Sequence, residues 1–173
     1  QYASTIFATL MEQLGVYWTV TFGNHDAEIY SIYNREEMAD FYADEKWENC
    51  LFLKGDENVD GFGNSVIKVK NSDGVVTQAL ITMDSNDYPK SSLLAGLIAG
   101  PAGNYDNIHE NQIEWYKNVI EENNKHNEMK ILSSSQSDFG QKYAHLMKVP
   151  STVFIHIPME EYKTAWFEYV DNG

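Results

Sequence analysis

The spacing of apolar residues predicts a helix at the start of the chain. Ile6, Leu10 and Leu14 recur every four residues, which places their side chains on one helix face. Gly15 follows them and is a typical left-handed C-terminal stop. We expect this first helix to span about Ser4 to Leu14.

The same periodicity predicts further helices. One spans about Arg35 to Trp47, and another begins with a capping-box pattern, Asn107 followed by Glu110, and continues to about Asn123. A short helix is expected near Gly140 to Met147. An aromatic-rich helical stretch precedes the end of the chain.

Three segments have strand patterns. Residues Val16 to Phe22 are almost continuously apolar and β-branched, which is typical of a strand buried on both faces of a parallel sheet. Ser65 to Lys70 alternates apolar and polar residues and, after a turn, Val75 to Asp84 returns as its antiparallel partner. Thr152 to Ile157 forms a further strand, which Pro158 ends. Helices alternating with such strands predict an α/β domain over residues 1–173 with a mixed sheet.

The composition excludes several classes of partner and leaves others open. A formal charge of −14 repels nucleic-acid backbones, and one cysteine, Cys50, cannot form an internal disulfide. No apolar run reaches the roughly 18 residues that a membrane span needs, so we expect no membrane contact through this segment. Cytoplasmic and extracellular locations both remain open. Residues Asp87 to Asp106, rich in glycine, serine and proline, predict a long surface loop.

Four chemically capable residues follow the first predicted strand. Ligand sites in open α/β sheets gather at the carboxyl ends of parallel strands. Gly23 lets the backbone approach a ligand closely, and Asn24 offers a carbonyl oxygen to a cation. His25 can donate a proton, and Asp26 can orient that imidazole. The alternative reading is a tight polar turn.

The string Gly23 to Asp26 resembles the Gly-Asn-His-Asp/Glu motif of calcineurin-like metallophosphoesterases, in a branch similar to the purple acid phosphatases. Other segments agree with this family in their order along the chain. They are Met83-Asp84-Ser85, Gln112 to Trp115, and Phe154 to Pro158 with Glu161-Tyr162. The resemblance implies a four-layer α/β/β/α sandwich.

The resemblance also implies a dinuclear metal centre that hydrolyses phosphate esters through a metal-activated hydroxide. Asn24 and His156 would then be ligands of one metal, while His25, with Asp26, acts at the phosphate. The metals would come from the Mn, Zn or Fe class. Asp84 and Ser85 would lie near the substrate, although a strand-end Asp also caps turns. For His156 a core histidine within an apolar strand is the alternative.

The chain departs from the family at three motifs. It lacks an Asp-x-His and a Gly-Asp segment before Gly23 and a Gly-His-x-His after His156, and Gly55-Asp56 stands in the wrong place. Because Gln1 begins inside a helical pattern, we interpret the chain as the middle of a longer domain. Two ligands are too few for a tight site, so we expect weak metal binding and little turnover by this fragment alone.

These departures lead to other interpretations. Loss of a central strand favours dimerisation or strand exchange. The competing hypothesis is a non-catalytic scaffold or partner-binding module. His109, His126 and His145 are interpreted as ordinary surface or capping residues, and residues 56–61 match only the first half of a calcium loop.

Overall fold

The structure is a computed structural model, which describes residues 2–26, 31–87, 105–134 and 137–172. Within these ranges five α-helices accompany a three-stranded mixed sheet, so the α/β class is confirmed. Most of the surface loop predicted for Asp87 to Asp106 lies outside the described residues. Among the described helices, none is both long enough and apolar enough to cross a bilayer.

Helix α1, Tyr2–Leu14, confirms the first predicted helix, and Gly15 ends it with a φ of 63°. The small Ala8 is buried against the core, and Met11 packs beside it. The stripe formed by Ile6, Leu10 and Leu14 is exposed instead of buried. The periodicity therefore predicted the helix correctly, although its most apolar face does not meet the described part of the chain.

Helix α2, Arg35–Tyr42, begins at a complete capping box, in which Asn34 and Glu37 exchange side-chain and backbone hydrogen bonds of 2.9 Å. It is shorter than the predicted span to Trp47. The reason is local, because Asp44 accepts the N–H of Lys46 at 3.0 Å in a side-chain turn that competes with another helical turn.

The predicted strand over residues 16–22 is wrong as a ladder strand. In the described residues it pairs only through an isolated parallel bridge between Trp18 and Cys50, and Tyr17 is exposed. Its aromatic residues nevertheless anchor the first core: Trp18 and Phe22 are buried against Tyr42 of α2. Within the described residues, side-chain packing and two backbone hydrogen bonds fix the segment: the Trp18 N–H donates to the Asn49 carbonyl at 3.1 Å and the Leu51 N–H to the Trp18 carbonyl at 2.7 Å.

The sheet has the order β1-β2-β3. Strands β1, Ser65–Lys70, and β2, Val76–Thr82, form the predicted antiparallel hairpin, with Ser65 opposite Thr82. Strand β3, Ser151–Phe154, runs parallel to β2 and is shorter than the predicted Thr152 to Ile157.

The helices of the second half differ from the prediction at their ends. Helix α3, Glu110–Ser134, begins after Asn107, because the Gln112 side chain accepts the His109 N–H at 2.9 Å and so supplies the cap. It also continues past Asn123, through a polar stretch. Helix α4, Asp138–Tyr143, runs into a 3₁₀ turn, Ala144–Leu146, close to the short helix that was predicted. Helix α5, Glu160–Asn172, is the aromatic-rich helix.

Helix α3 packs on the sheet and forms the second core with it. Val76, Ala79 and Ile81 of β2 lie against Val119 of α3. Asn127, also on α3, binds the Val76 backbone on both sides, accepting its N–H at 2.8 Å and donating to its C=O at 2.7 Å. A side-chain amide thus continues the hydrogen bonding of the sheet.

The two buried asparagines of α3 provide a matched stability test. Asn127→Leu is expected to lower the free energy of unfolding by about 2–4 kcal/mol, because both backbone groups of Val76 lose their partner. Asn123→Leu is expected to be neutral or stabilising, since neither amide atom of the buried Asn123 has a hydrogen-bond partner among the described residues. Urea unfolding of both variants measures this, and equal losses in the two would contradict it.

Candidate functional site

The structure brings Asn24 and His156 together although they are 132 residues apart in the chain. The His156 Nε2 lies 3.0 Å from the Asn24 Oδ1. Asn24 is buried in the turn that follows Phe22, and His156 follows the end of β3. The two residues predicted as ligands of one metal are therefore neighbours, while the ligand role itself stays a prediction.

Gly23 makes this approach possible. A Cβ atom added at Gly23 would lie 2.9 Å from the His156 Nε2, a distance that forces the ring to move. The N–H of Gly23 donates to the Asp26 carboxylate at 2.6 Å, and the N–H of Asp26 returns to the Gly23 carbonyl at 3.3 Å. These two hydrogen bonds close the turn between Gly23 and Asp26, and the missing Cβ at Gly23 leaves room for the imidazole of His156.

Arg35, the chain's only arginine, binds the backbone of this turn. Its Nη1 donates to the Gly23 carbonyl at 2.9 Å, and its Nη2 forms an ion pair with Asp84. The guanidinium carbon also lies 5.1 Å from the centroid of the Phe22 ring, as in a cation–π contact. One side chain thus joins the turn, the first core and the end of β2.

Asp84 is enclosed by hydrogen-bond donors. Its carboxylate accepts the N–H of Phe62 at 2.8 Å and that of Asn86 at 3.0 Å, in addition to the Arg35 ion pair. A Cβ at Gly61, where φ is 84°, would lie 2.8 Å from the Asp84 Cβ. With none of its side chain exposed, Asp84 supports Arg35 in this structure, and its predicted place beside a substrate stays a prediction.

Sequence reasoning missed the buried amides behind Asp84. The Gln112 Nε2 donates to the Asp84 carbonyl at 2.7 Å and to the Asn64 Oδ1 at 3.1 Å, and the Asp84 N–H donates to that same oxygen at 3.1 Å. Gln112 and Asn64 are both buried. The signal in the sequence was a polar residue at the third position of a helix, which also suits a simple cap.

Ser85 connects the end of β2 to the segment after β3. Its Oγ accepts the N–H of Ile157 at 2.9 Å. Ser85 lines a cleft of about 950 Å³ together with Asn24 and His156, and Asp106 forms part of another wall. This cleft is the space in which a ligand would meet the Asn24–His156 pair.

His25 and Asp26 lie elsewhere. They line a separate cleft of about 600 Å³, formed with residues of α1 and the segment before α2, Tyr2, Ser4, Ser31, Ile32 and Tyr33 among them. The structure therefore separates His25 from the pair that its neighbour Asn24 forms with His156. The catalytic role of His25, and the part of Asp26 in orienting it, stay predictions.

His109 is a second feature that the sequence did not reveal. Its Nδ1 lies 2.7 Å from the Asp60 carboxylate and its Nε2 lies 3.1 Å from that of Asp106. The hydrogen bond with Asp60 raises the pKa of His109, partial burial opposes this, and the bond with Asp106 raises it further. His109 was interpreted as an ordinary surface or capping residue; it directly precedes α3, and the structure adds the two carboxylate partners to that interpretation.

The Asn24–His156 pair fits a metal ion in kind but not in number. A carboxamide oxygen and an imidazole nitrogen are suitable ligands for Mn, Zn or Fe. The described residues contain no group of three His, Cys, Asp or Glu side chains that could hold a metal. Two donors make a partial shell, and a closed site needs at least one more protein ligand.

Comparison with known proteins gave no match. No family model, no curated protein and no solved structure matches the chain. The relation to the metallophosphoesterases is thus a resemblance of motifs, and a function based on it is a proposal.

A buried and an exposed ion pair of the first half provide a second stability test. Arg35→Met is expected to lower the free energy of unfolding by about 3–5 kcal/mol, because it leaves the buried Asp84 carboxylate without a counter-charge. Lys54→Met, which removes the exposed partner of Asp40, is the control and should change little. Urea unfolding checks both.

The double variant Arg35→Met/Asp84→Leu makes the test specific. It should be more stable than Arg35→Met alone, since no charge is left buried. A double variant at least as unstable as the single one would show that the arginine acts through packing and not through its charge.

Proposed function

We propose that this chain carries two ligands of the metal shell of a phosphoric ester hydrolase with a dinuclear centre, in which Asn24 and His156 bind one metal. The main support for this proposal is the 3.0 Å distance between the Asn24 Oδ1 and the His156 Nε2, the two atoms that would bind the metal. The absence of a side chain at Gly23 supports the proposal, because it lets the imidazole lie against the turn.

The chain's own residues would bind the metal and orient its ligands. Metal ions in such a centre would supply charge neutralisation at the phosphate and a more acidic bound water. Arg35 would keep the Asn24 carboxamide in place through the Gly23 carbonyl, and Ser85 would keep the His156 segment in place through Ile157. For His25 we retain the proposal of a proton donor at the phosphate, which requires it to reach the cleft of the Asn24–His156 pair.

The hydrolase proposal includes the architecture. We propose that the three-stranded mixed sheet and α3 are one part of a four-layer α/β/β/α sandwich. The parallel pairing of β2 with β3 supports this, since it brings the ends of two parallel strands to one edge, where Ser85 and His156 lie.

Metal binding can be tested on this chain directly. Addition of Mn²⁺ is expected to broaden the backbone NMR signals of Asn24 and His156 selectively, with weak affinity because only two donors are present. His156→Ala should remove the effect, whereas His145→Ala, at an exposed histidine of the 3₁₀ turn, should not. Broadening confined to the acidic residues 56–60 would reject the assignment.

Activity tests the rest of the proposal. Hydrolysis of an aryl phosphate is measured with Mn, Zn or Fe, both for this chain and for the protein that the complete reading frame encodes. That reading frame also shows whether an Asp-x-His precedes Gly23 and whether a Gly-His-x-His follows His156. We expect little turnover without those ligands, and with them a turnover that His25→Ala lowers by about 10²–10⁴-fold. Metal binding without turnover in either form would favour a scaffold.

A second candidate function is a non-catalytic module that docks a protein, including a second copy of this chain. The supporting observation is helix α5, in which all residues from 161 to 170 are exposed. Trp166 and Tyr169, with 62% and 72% of their surfaces exposed, lie side by side on this helix, with ring centroids 6.3 Å apart and ring planes tilted by 39°. Such aromatic patches favour protein contacts.

Sedimentation equilibrium tests this second candidate. The chain is expected to form dimers, and Trp166→Ser is expected to weaken them because burial of the indole is lost. Phe139→Ser, at an aromatic residue on α4 that is 73% exposed, is the control. A monomer at all concentrations would remove self-association as a function of α5.

A further inference from the structure

Both ring nitrogens of His109 face carboxylates. Nδ1 lies 2.7 Å from Asp60 Oδ2, and Nε2 lies 3.1 Å from Asp106 Oδ1. A neutral imidazole carries one N–H, whereas an imidazolium carries two. The ring can therefore donate to both carboxylates at the same time only when it is protonated.

The two carboxylates belong to different parts of the chain, and only that of Asp106 lies in the cleft lining. Asp106 forms part of the wall of the 950 Å³ cleft that contains Asn24 and His156. Asp60 belongs to the glycine loop, which we define as residues 55–64. The loop has further contacts that need no proton on His109, since Asn64 donates to the Asp60 carbonyl at 2.7 Å and Asn111 of α3 donates to the Asn58 carbonyl at 3.3 Å.

We propose that His109 is a proton-operated clamp on this cleft: its imidazolium ties Asp106 in the wall to Asp60 in the glycine loop, and loss of the proton releases Asp106. The shorter contact identifies Asp60 as the partner that the neutral ring keeps, through Nδ1–H. Asp106 then loses the imidazole donor and faces Asp60 with no positive charge between them. The clamp is independent of the proposed hydrolase activity.

The charges around the ring set the direction of the switch. The charged groups that face His109 are Asp60 from the glycine loop and Asp106 from the segment before α3, and both raise its pKa above the ordinary 6.5. Because the folded pKa is the higher one, the contribution to stability is complete below pH 6.5 and is lost as the pH rises through the folded pKa. The clamp is closed on the acidic side.

NMR titration of this chain tests the clamp. The ring nitrogens of His109 should both be protonated at low pH, and the amide signals of Asp106 and Asn107 should titrate with the same midpoint as the ring. Asp60→Asn and Asp106→Asn should each move that midpoint down toward 6.5. In Asp106→Asn, the amide signals of the other residues that line the cleft should no longer titrate with the midpoint of His109.

The controls separate His109 from the other histidines. His109→Gln should abolish the titration at Asp106, whereas His145→Gln, away from the cleft, should leave it unchanged. If His109→Gln does not fold, the lowered midpoint expected at the Asp106 amide in Asp60→Asn tests the clamp instead. His156 also lies in the cleft, and a titration at Asp106 that persists in His109→Gln would overturn the clamp. A His109 midpoint that neither carboxylate variant lowers would overturn it equally.

Discussion

The buried ion pair between Arg35 and Asp84 is the constraint on which the described arrangement depends. Only 12% of the arginine side chain and none of the aspartate side chain is exposed, so each charge requires the other. Arg35 is also the first residue of α2, and Asp84 follows β2. The pair therefore joins the aromatic core around Phe22 to the sheet, two units with separate hydrophobic clusters.

The polar side chains around this pair show how a buried charge is tolerated in a strongly acidic chain. Asp84 has three donor groups, the guanidinium of Arg35 and the backbone N–H groups of Phe62 and Asn86. Glycine at position 61 lets the backbone of the glycine loop approach closely enough to supply one of them. The same loop reaches Gln112 through Asn64, so that neutral amides and not further charges complete the network.

What the sequence predicted depends on whether the signal is local. The hairpin of β1 and β2 was predicted because alternation and turn residues lie next to each other in the chain, and the first helix because its periodicity is local. The strand at residues 16–22 was wrong because apolar character does not distinguish packing of Trp18 and Phe22 on a helix from packing in a sheet. The end of α2 was missed because a single Asp44 turn competes with propensity.

The residues of the candidate site also fall into those that the sequence predicted and those that it did not. Asn24 and His156 were paired in advance only through the resemblance of their motifs, and the structure does place them in contact. Arg35 and Gln112, and His109 through Asp60, contact partners 12 to 49 residues away, which no local pattern encodes. The separation of His25 from its neighbour Asn24 arises from the turn, which directs successive side chains to different clefts.

The distance along the chain between Asn24 and His156 also has a consequence for the order of assembly. Closing a loop of 132 residues is costly in entropy, and the contact is formed by two side chains with no ladder between them. The aromatic core and the hairpin, which rely on nearer contacts, can form first. During synthesis, the turn at Gly23 thus leaves the ribosome long before its imidazole partner exists, and the Asn24–His156 contact is among the last of the described contacts that can form.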